Sequence, residues 1–341
     1  MQGVSAGLSA ALELDAAGNP GEAFNVLKRA SAAGDLPSMT ELGHRLLTGD
    51  RAPKMVDHAL SLLSNAARGG EGRALARLAA LNAAGAYMTQ DLPGALNLLA
   101  AAADAGDAGA QGQLTCLQAP HAAPASWSAM AARVAWGDWL TAAPVIALEP
   151  RVGRVLQLAP AAVCDWLIAR ARPRLGRALV YDAVERRDLA HDMRTNSAAN
   201  FDYACLDVVQ FLVQARMART CGQRQQQLEA PMVLHYRVGQ QIRPHFDFID
   251  TAAPDYEQQI REQGQRMITF LLYLNEGYDG GETTFPELGI VNRGRRGEGL
   301  YFINSRADRS ADRQMLHTGS PPTRGEKWIV TQFIRDIALR P

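Results

Sequence analysis

Lysine, cysteine and long apolar runs are scarce in this 341-residue chain, and each shortage limits what the protein can be. Only Lys28, Lys54 and Lys327 are lysine among 35 basic residues, so a lysine inside a candidate site suggests a specific role for that residue type. Four scattered cysteines are too few for a disulfide framework or a CxxC metal site. The start lacks a basic, apolar leader, and no run of about 18 apolar residues follows. We therefore expect a soluble, cytoplasmic protein that makes no membrane contact.

Charge of one sign is not in excess either. The 35 Lys and Arg residues balance the 35 Asp and Glu residues, so nothing indicates nucleic acid or an anionic surface as the partner. The length exceeds what one hydrophobic core usually occupies, and two domains are expected.

Residues 1–118 repeat themselves with a period of 36. Similar phrases, each closing on glycine, begin at Ala23, Ala59 and Ala95. Each unit predicts two short amphipathic helices, and such units must stack to bury their apolar faces, so an α-solenoid is expected. The pattern resembles Sel1-like repeats, bacterial relatives of tetratricopeptide repeats. The solenoid is a concave surface for a peptide or protein partner, a wall that helps to close the active site, or a dimerisation or stability module.

The sequence pattern changes after the repeats. Residues 119–143 contain Pro120 and Pro124 and three of the five tryptophans, which predicts a junction. From residue 144 to 341, two helical stretches precede six short strand-like runs: MVLHYRV, QIRPHFDFI, RMITFLLYL, GLYFINS, QMLHTG and KWIVTQFIR. The predicted class is α+β, with a helical-repeat domain followed by an antiparallel double-stranded β-helix, or jelly roll, with supporting helices.

Four residues of the last domain carry the candidate chemistry. His245 and Asp247 are two apart, so on a strand their side chains share a face. His317 follows seventy residues after Asp247, and Lys327 comes ten residues later across the turn-forming GSPPTRG. Two imidazoles and one carboxylate on one face of an octahedral ion leave the other face open, as in non-haem Fe(II) oxygenases. Strand alternation places Thr331 on the same face as Lys327.

Six phrases occur in order: RTNS, HYRVGQQIRPHFD, RMITFLLYLNEGYDGGETTFPE, GEGLYFIN, LHTG and GEKW. An isolated HxD would not distinguish a metal ligand from a structural histidine. Together, the six phrases resemble the catalytic domain of the prolyl 4-hydroxylase family of Fe(II)/2-oxoglutarate dioxygenases, over residues from about 144 to 337.

The resemblance implies roles for nine residues. The implied Fe(II) ligands are His245, Asp247 and His317. The residues that it places around 2-oxoglutarate are Lys327, Tyr236, Tyr273 and Thr331. The positions that it places near the substrate are Arg194 and Glu282. Lys327 would pair with the far carboxylate of the cosubstrate as a point charge.

The implied reaction is O2-dependent hydroxylation of an unactivated C–H bond with release of succinate and CO2, and ascorbate is an optional reductant. Ile242 and Phe333 replace a tyrosine and a tryptophan that the family often has near the substrate. The expected substrate is therefore a proline-like or other amino-acid unit, either free, within a peptide, or within a natural-product precursor. Two alternatives stay open: a hydroxylase of a folded protein docked on the solenoid, and a non-catalytic repeat scaffold.

Overall fold

The computed structural model describes residues 5–118, 126–182, 187–189, 192–202, 205–249, 254–306 and 308–339. Pro120 and Pro124 of the predicted junction lie outside these residues. Two compact units are present: Met1–Trp136 with Tyr203–Phe211, and Gly137–Asp202 with Leu212–Arg340. No helix among the described residues has the length and apolarity needed to cross a membrane.

Paired helices fill the first unit at the predicted period. They are α1 (Ala6–Ala16), α2 (Pro20–Ala32), α3 (Leu36–Thr48), α4 (Val56–Arg68), α5 (Gly72–Ala84), α6 (Leu92–Asp104) and α7 (Ala108–Cys116). Because α2, α4 and α6 start 36 residues apart, as do α3, α5 and α7, the prediction of stacked helical repeats is confirmed. Two short helices follow, α8 (Trp127–Arg133) and α9 (Trp136–Trp139).

Local chemistry explains these helix bounds. An acidic side chain at the same place in each repeat accepts a hydrogen bond from the first helical turn of α3, α5 or α7, which satisfies an otherwise unpaired N–H. These caps are Asp35, Glu71 and Asp107. The leucines at equivalent positions of α2, α4 and α6 are fully buried: Leu27, Leu63 and Leu99. The repeat is thus fixed by one cap and one buried leucine in each unit.

The second unit is mainly antiparallel sheet. Its helices are α10 (Ala161–Ala171), α11 (Val208–Thr220), which begins in the first unit, and α12 (Pro254–Gln263). Its first strands are β1 (Val145–Glu149), β2 (Val152–Val155), β3 (Gly176–Arg177), β4 (Val180–Asp182), β5 (Arg187–Leu189), β6 (Ser197–Asn200), β7 (Met232–Tyr236) and β8 (Ile242–His245). The later strands are β9 (Arg266–Tyr273), β10 (Asp279–Gly280), β11 (Thr283–Phe285), β12 (Ile290–Asn292), β13 (Gly299–Ile303), β14 (His317–Gly319), β15 (Pro322–Arg324) and β16 (Lys327–Arg335).

Two of the sheets build the framework of the site. One has the strand order β1-β2-β13-β9-β16-β7-β6-β3, and the other has the order β12-β11-β14-β8. Side chains from both sheets, including Leu234, Leu271, Phe285 and Phe302, form one buried cluster. The predicted α+β class is confirmed, with helical repeats followed by a sheet-rich domain.

Strand β16 lies in the middle of the larger sheet, between β9 and β7. Every one of its residues is buried, because both faces of the strand are covered. The register sets Lys327 opposite Tyr236, and Ile329 opposite Tyr273. Since these pairs share a sheet face, the lysine and the two tyrosines project toward the cluster between the sheets.

Candidate active site

Three candidate ligand side chains converge at the end of the smaller sheet. Strands β8 and β14 pair so that His245 lies directly opposite His317. The Nε2 atoms of His245 and His317 lie 3.5 and 3.4 Å from the two carboxylate oxygens of Asp247. One ligand atom from each residue falls within 4.8 Å of the others, which suits a single metal ion.

Both imidazoles are oriented by their own backbone. The Nδ1 atom of His245 lies 2.8 Å from the carbonyl oxygen of Arg243, and that of His317 lies 2.9 Å from the carbonyl oxygen of Met315. A carbonyl only accepts, so Nδ1 carries the proton and donates it, and Nε2 keeps a free lone pair. Such hydrogen bonds fix the ring and the tautomer of a metal-binding histidine.

Asp247 is held from the opposite sheet. Thr269 of β9 donates from Oγ1 to its Oδ2 at 2.7 Å, and Asn304 donates from Nδ2 to Thr269 Oγ1 at 3.0 Å. The expectation that His245 and Asp247 share a strand is wrong, because β8 ends at His245. The chain turns away from β14 there, and the Thr269 hydroxyl, rather than strand alternation, aims the carboxylate.

The electrostatics of this cluster favour a carboxylate anion. Burial alone would raise the pKa of Asp247, but the neighbouring His317 and His245 imidazoles hold that pKa well below its usual range. Burial alone would lower the pKa of His317, and the Asp247 carboxylate raises it above its usual value. A bound metal ion would supply a counter-charge for this carboxylate.

Lys327 is a buried cation with few partners. Its side chain is 1% exposed, and Nζ donates to the Gly281 carbonyl oxygen at 2.7 Å. Among the described residues, no carboxylate lies within ion-pair distance of Nζ. Burial lowers the pKa of Lys327 to about 8, and the more distant Glu282 only partly offsets this. A buried ammonium that lacks a carboxylate is unfavourable, which makes it a binding group for an incoming anion.

Hydroxyl-bearing side chains surround this lysine. The Nζ atom lies 5.4 and 5.7 Å from the ring centres of Tyr236 and Tyr273. The Tyr273 hydroxyl contacts Thr283 Oγ1 at 3.0 Å and accepts from Asn292 Nδ2 at 2.9 Å. Thr331, on the same face of β16 as Lys327, has a buried Oγ1 with no hydrogen-bond partner among the described residues. A buried ammonium without a carboxylate partner and a buried hydroxyl without a hydrogen-bond partner, both on this strand face, suit a carboxylate ligand.

Comparison with known proteins identifies the family. Residues 231–335 match the model described as the 2OG-Fe(II) oxygenase superfamily. The chain is 30% identical over 210 residues to probable prolyl 4-hydroxylase 3 of Arabidopsis thaliana, which covers 56% of this chain and 71% of that relative. The chain belongs to the prolyl 4-hydroxylase-like 2OG-Fe(II) oxygenases. It is therefore an enzyme of the 2-oxoglutarate-dependent hydroxylase class, and the alternative of a non-catalytic scaffold finds no support.

Other relatives of this oxygenase cover the same region. Prolyl 4-hydroxylase 5 of Arabidopsis thaliana is 31% identical over 209 residues, which are 55% of this chain and 69% of the relative. The structure of a viral collagen prolyl hydroxylase from Paramecium Bursaria Chlorella virus-1 is 24% identical, with a TM-score of 0.42, over 55% of this chain and 98% of that one. A Sel1 repeat protein from Oxalobacter formigenes is 36% identical, with a TM-score of 0.25, over 26% of this chain and 65% of the other.

The residues present in this oxygenase fit the groups that its family uses. Fe(II), 2-oxoglutarate and O2 are implied by the family, and two imidazole nitrogens with one carboxylate are the donor set of non-haem Fe(II). The uncompensated Lys327 ammonium and the unpaired Thr331 hydroxyl fit the cosubstrate's carboxylate. The turn expected between His317 and Lys327 is partly wrong, since it contains β15, which pairs with β10 and so brings Gly281 to Lys327.

The two predicted substrate residues lie at different places around this site. Arg194 forms an isolated β-bridge with Ile242 and donates from Nε to Asn196 at 3.2 Å. Its charge also acts on the Tyr236 hydroxyl, whose pKa burial raises to about 12. Glu282 lies between β10 and β11, where its carbonyl oxygen accepts from Ser320 N–H.

Sequence reasoning missed the residues that position the site's side chains through hydrogen bonds. Thr269 and Asn304 position Asp247, while Thr283 and Asn292 hold the Tyr273 hydroxyl. Strand alternation was the available signal for Thr269, because it shares a face with Tyr273. The other three lie on other strands or just beyond one, and only the folded register brings them here.

Proposed function

We propose that this oxygenase hydroxylates an unactivated C–H bond of a proline-like or other amino-acid unit and releases succinate and CO2. One observation carries the proposal: two histidines and an aspartate converge in the same domain as a buried lysine that has no carboxylate partner among the described residues. In this assignment His245, Asp247 and His317 hold Fe(II), which when bound supplies the oxidising chemistry that no side chain provides.

The chain's own side chains would bind and orient 2-oxoglutarate and would exclude water from the site. Lys327 and Thr331 would hold the far carboxylate of 2-oxoglutarate, and the cosubstrate would supply the counter-charge that the buried ammonium lacks. Tyr236 and Tyr273 would line the same pocket, the latter fixed by its two hydrogen bonds. The Phe302 ring, 4.6 Å from the His317 ring centre, shields that imidazole from water.

Substrate selection would lie at the opening beside β8. A bulge between His245 and Ile242 turns the Ile242 side chain toward Gly319 and Tyr236, so an apolar surface stands where the family often has tyrosine. Arg194 adjoins it through the β-bridge, and we propose that Arg194 and Glu282 bind the polar ends of the amino-acid unit. Phe333, on the central strand β16, is covered by the Arg266 guanidinium, which lies 3.8 Å from its ring centre.

The helical repeats would hold a peptide or protein partner, whereas the catalytic site needs only the second domain. We place the domains at residues 1–118 and 144–341, joined by 119–143. A hydroxylase that acts on a folded protein would need the repeats for turnover, and one that acts on a small amino-acid unit would not.

Substrate-dependent succinate release tests this function. The full chain would be incubated with Fe(II), 2-oxoglutarate and, in parallel, free proline, other amino acids and proline-containing peptides, with and without ascorbate. We expect succinate above the uncoupled background with at least one of them, and a matching mass increase of one oxygen in that compound. Coupled turnover that persists in Asp247→Ala would contradict the assignment.

A further inference from the structure

A second polar cleft lies in the catalytic domain, away from the iron ligands. Its volume is about 730 Å³, and its walls come from the segment after β2, from α11, from the loop between β9 and β10, and from the loop between β12 and β13. Three arginines line it, together with two glutamates, Glu276 and Glu298. Glu298 is already held by Arg154 through three hydrogen bonds of 3.2, 3.0 and 2.9 Å. The cleft therefore offers more positive charge than its own acids neutralise.

Arg216 lacks a carboxylate partner among the described residues. Its Nη1 donates to the Leu158 carbonyl oxygen at 3.2 Å, and its guanidinium lies 5.8 Å from the ring centre of Trp139. Its Nε is buried and has no hydrogen-bond partner among the described residues, and no carboxylate there pairs with it. Burial lowers the pKa of Arg216, and the more distant Asp138 does not restore it. A guanidinium in this state lacks the planar anion that its fork matches.

Arg296 faces the same cleft and is also incompletely satisfied. Its Nη2 donates to the Ala161 carbonyl oxygen at 2.8 Å and forms an ion pair with the exposed Asp165. Its Nε is buried without a partner among the described residues. Two arginines from separate segments thus line one cleft without full compensation of their guanidinium groups, and Arg295 adds a third charge to its wall.

Backbone hydrogen bonds hold the loop that carries Arg295 and Arg296. Gly297 has φ of 81°, and its carbonyl oxygen accepts from both Leu158 and Ala159 N–H. A Cβ at Gly297 would stand 2.3 Å from the Ala159 carbonyl oxygen, so only glycine permits this approach. Gln157, which also lines the cleft, has the left-handed φ of 51° that non-glycine residues seldom adopt.

The same loop supports the cosubstrate pocket. Tyr273 N–H donates to the Glu298 carbonyl oxygen at 2.9 Å, and Gly297 N–H donates to the Tyr273 carbonyl oxygen at 2.9 Å. Gly294 packs on the Tyr273 ring so closely that a Cβ there would lie 2.0 Å from it. An occupant of the cleft would therefore contact the segment that fixes Tyr273.

We propose that this cleft binds a small oxyanion, either a carboxylate or a phosphate, between Arg216 and Arg296. Arg295 and the Gln157 amide lie within the same wall and complete the site. The proposal goes beyond the oxygenase reaction and does not depend on it, because the cleft and the iron ligands share no residue.

Calorimetric titration of the metal-free full chain with inorganic phosphate provides the first test. Succinate is then titrated into protein already saturated with Mn(II) and 2-oxoglutarate, so that the active site is filled. The variants are Arg216→Met and Arg296→Met, and the matched control is Arg219→Met, which removes an exposed arginine one turn further along α11. We expect one site in the wild type and the control, weakened about tenfold or more in both cleft variants.

Each outcome decides the question. Binding of phosphate alone or succinate alone supports the site and tells which oxyanion it takes. If neither anion binds at about 10 mM, or if both cleft variants bind as the wild type does, the proposal is overturned. If Arg296→Met fails to fold, Arg216→Met still tests the proposal. It removes a charge that has no carboxylate partner among the described residues, so no ion pair is lost.

Discussion

Replacing Lys327 by methionine should stabilise the metal-free protein while destroying its affinity for 2-oxoglutarate. Burial lowers the pKa of Lys327 from 10.5 to about 8. A lowering of that size corresponds to a cost on the order of 3 kcal/mol for keeping the ammonium charged in the fold. Loss of the hydrogen bond to the Gly281 carbonyl offsets about 1 kcal/mol of the gain. We expect Lys327→Met to unfold with a free energy about 2 kcal/mol higher at pH 7.

The pH dependence gives the sharper test. The pKa of a lysine in the unfolded chain is 10.5, and that of folded Lys327 is about 8. Between these values the unfolded chain binds more protons, so the Lys327 contribution to wild-type stability becomes less unfavourable as pH rises. The advantage of Lys327→Met over the wild type should therefore be largest below pH 8 and disappear toward pH 10.5.

Urea unfolding in the presence of a chelator measures this difference. Of the five tryptophans, Trp139, Trp166 and Trp328 lie in the same unit as Lys327, and Trp127 and Trp136 lie in the first unit, so fluorescence follows the unfolding of both. Lys54→Met, at an exposed lysine, is the control and should leave stability within about 0.5 kcal/mol of the wild type. A Lys327→Met protein that unfolds more easily at pH 7, or whose advantage is independent of pH, would refute the reasoning.

Four further predictions follow from the same geometry. His245→Ala and Asp247→Ala should each abolish Fe(II)-dependent turnover while circular dichroism stays unchanged; residual wild-type turnover would remove them from the ligand set. Thr269→Val should raise the Fe(II) dissociation constant about tenfold or more, and Thr269→Ser should restore it, because the hydroxyl positions the carboxylate. Thr331→Val should raise the KM for 2-oxoglutarate while leaving the free protein as stable or about 1 kcal/mol more stable, since it removes an unpaired buried hydroxyl. Limited proteolysis should first separate the helical repeats from the catalytic domain, and initial cleavage inside the repeats would contradict the proposed domain division.

The parts of this structure that depend on local periodicity could be predicted from the sequence. A 36-residue spacing places caps and buried leucines at fixed positions of each helix pair, and period two put Lys327 and Thr331 on one strand face. Both patterns are read along a single element, so no knowledge of the register between elements was needed.

Features that depend on pairing between distant segments were not predictable in the same way. Asp247 leaves its strand and is aimed by Thr269, which lies 22 residues further along and on another sheet. Strand β15 was expected to be a turn because GSPPTRG is rich in glycine and proline, yet its pairing with β10 converts it to an edge strand. The proposed oxyanion cleft joins four separated segments, none of which contains a recognisable binding motif.

Anaerobic titration of the purified protein with Fe(II), followed by 2-oxoglutarate, probes the proposed iron site without any knowledge of the substrate. We expect a visible charge-transfer band that saturates at one equivalent of each and is absent in His317→Ala. Failure of the wild type to bind either iron or 2-oxoglutarate, or an unchanged band in His317→Ala, would contradict the proposed site.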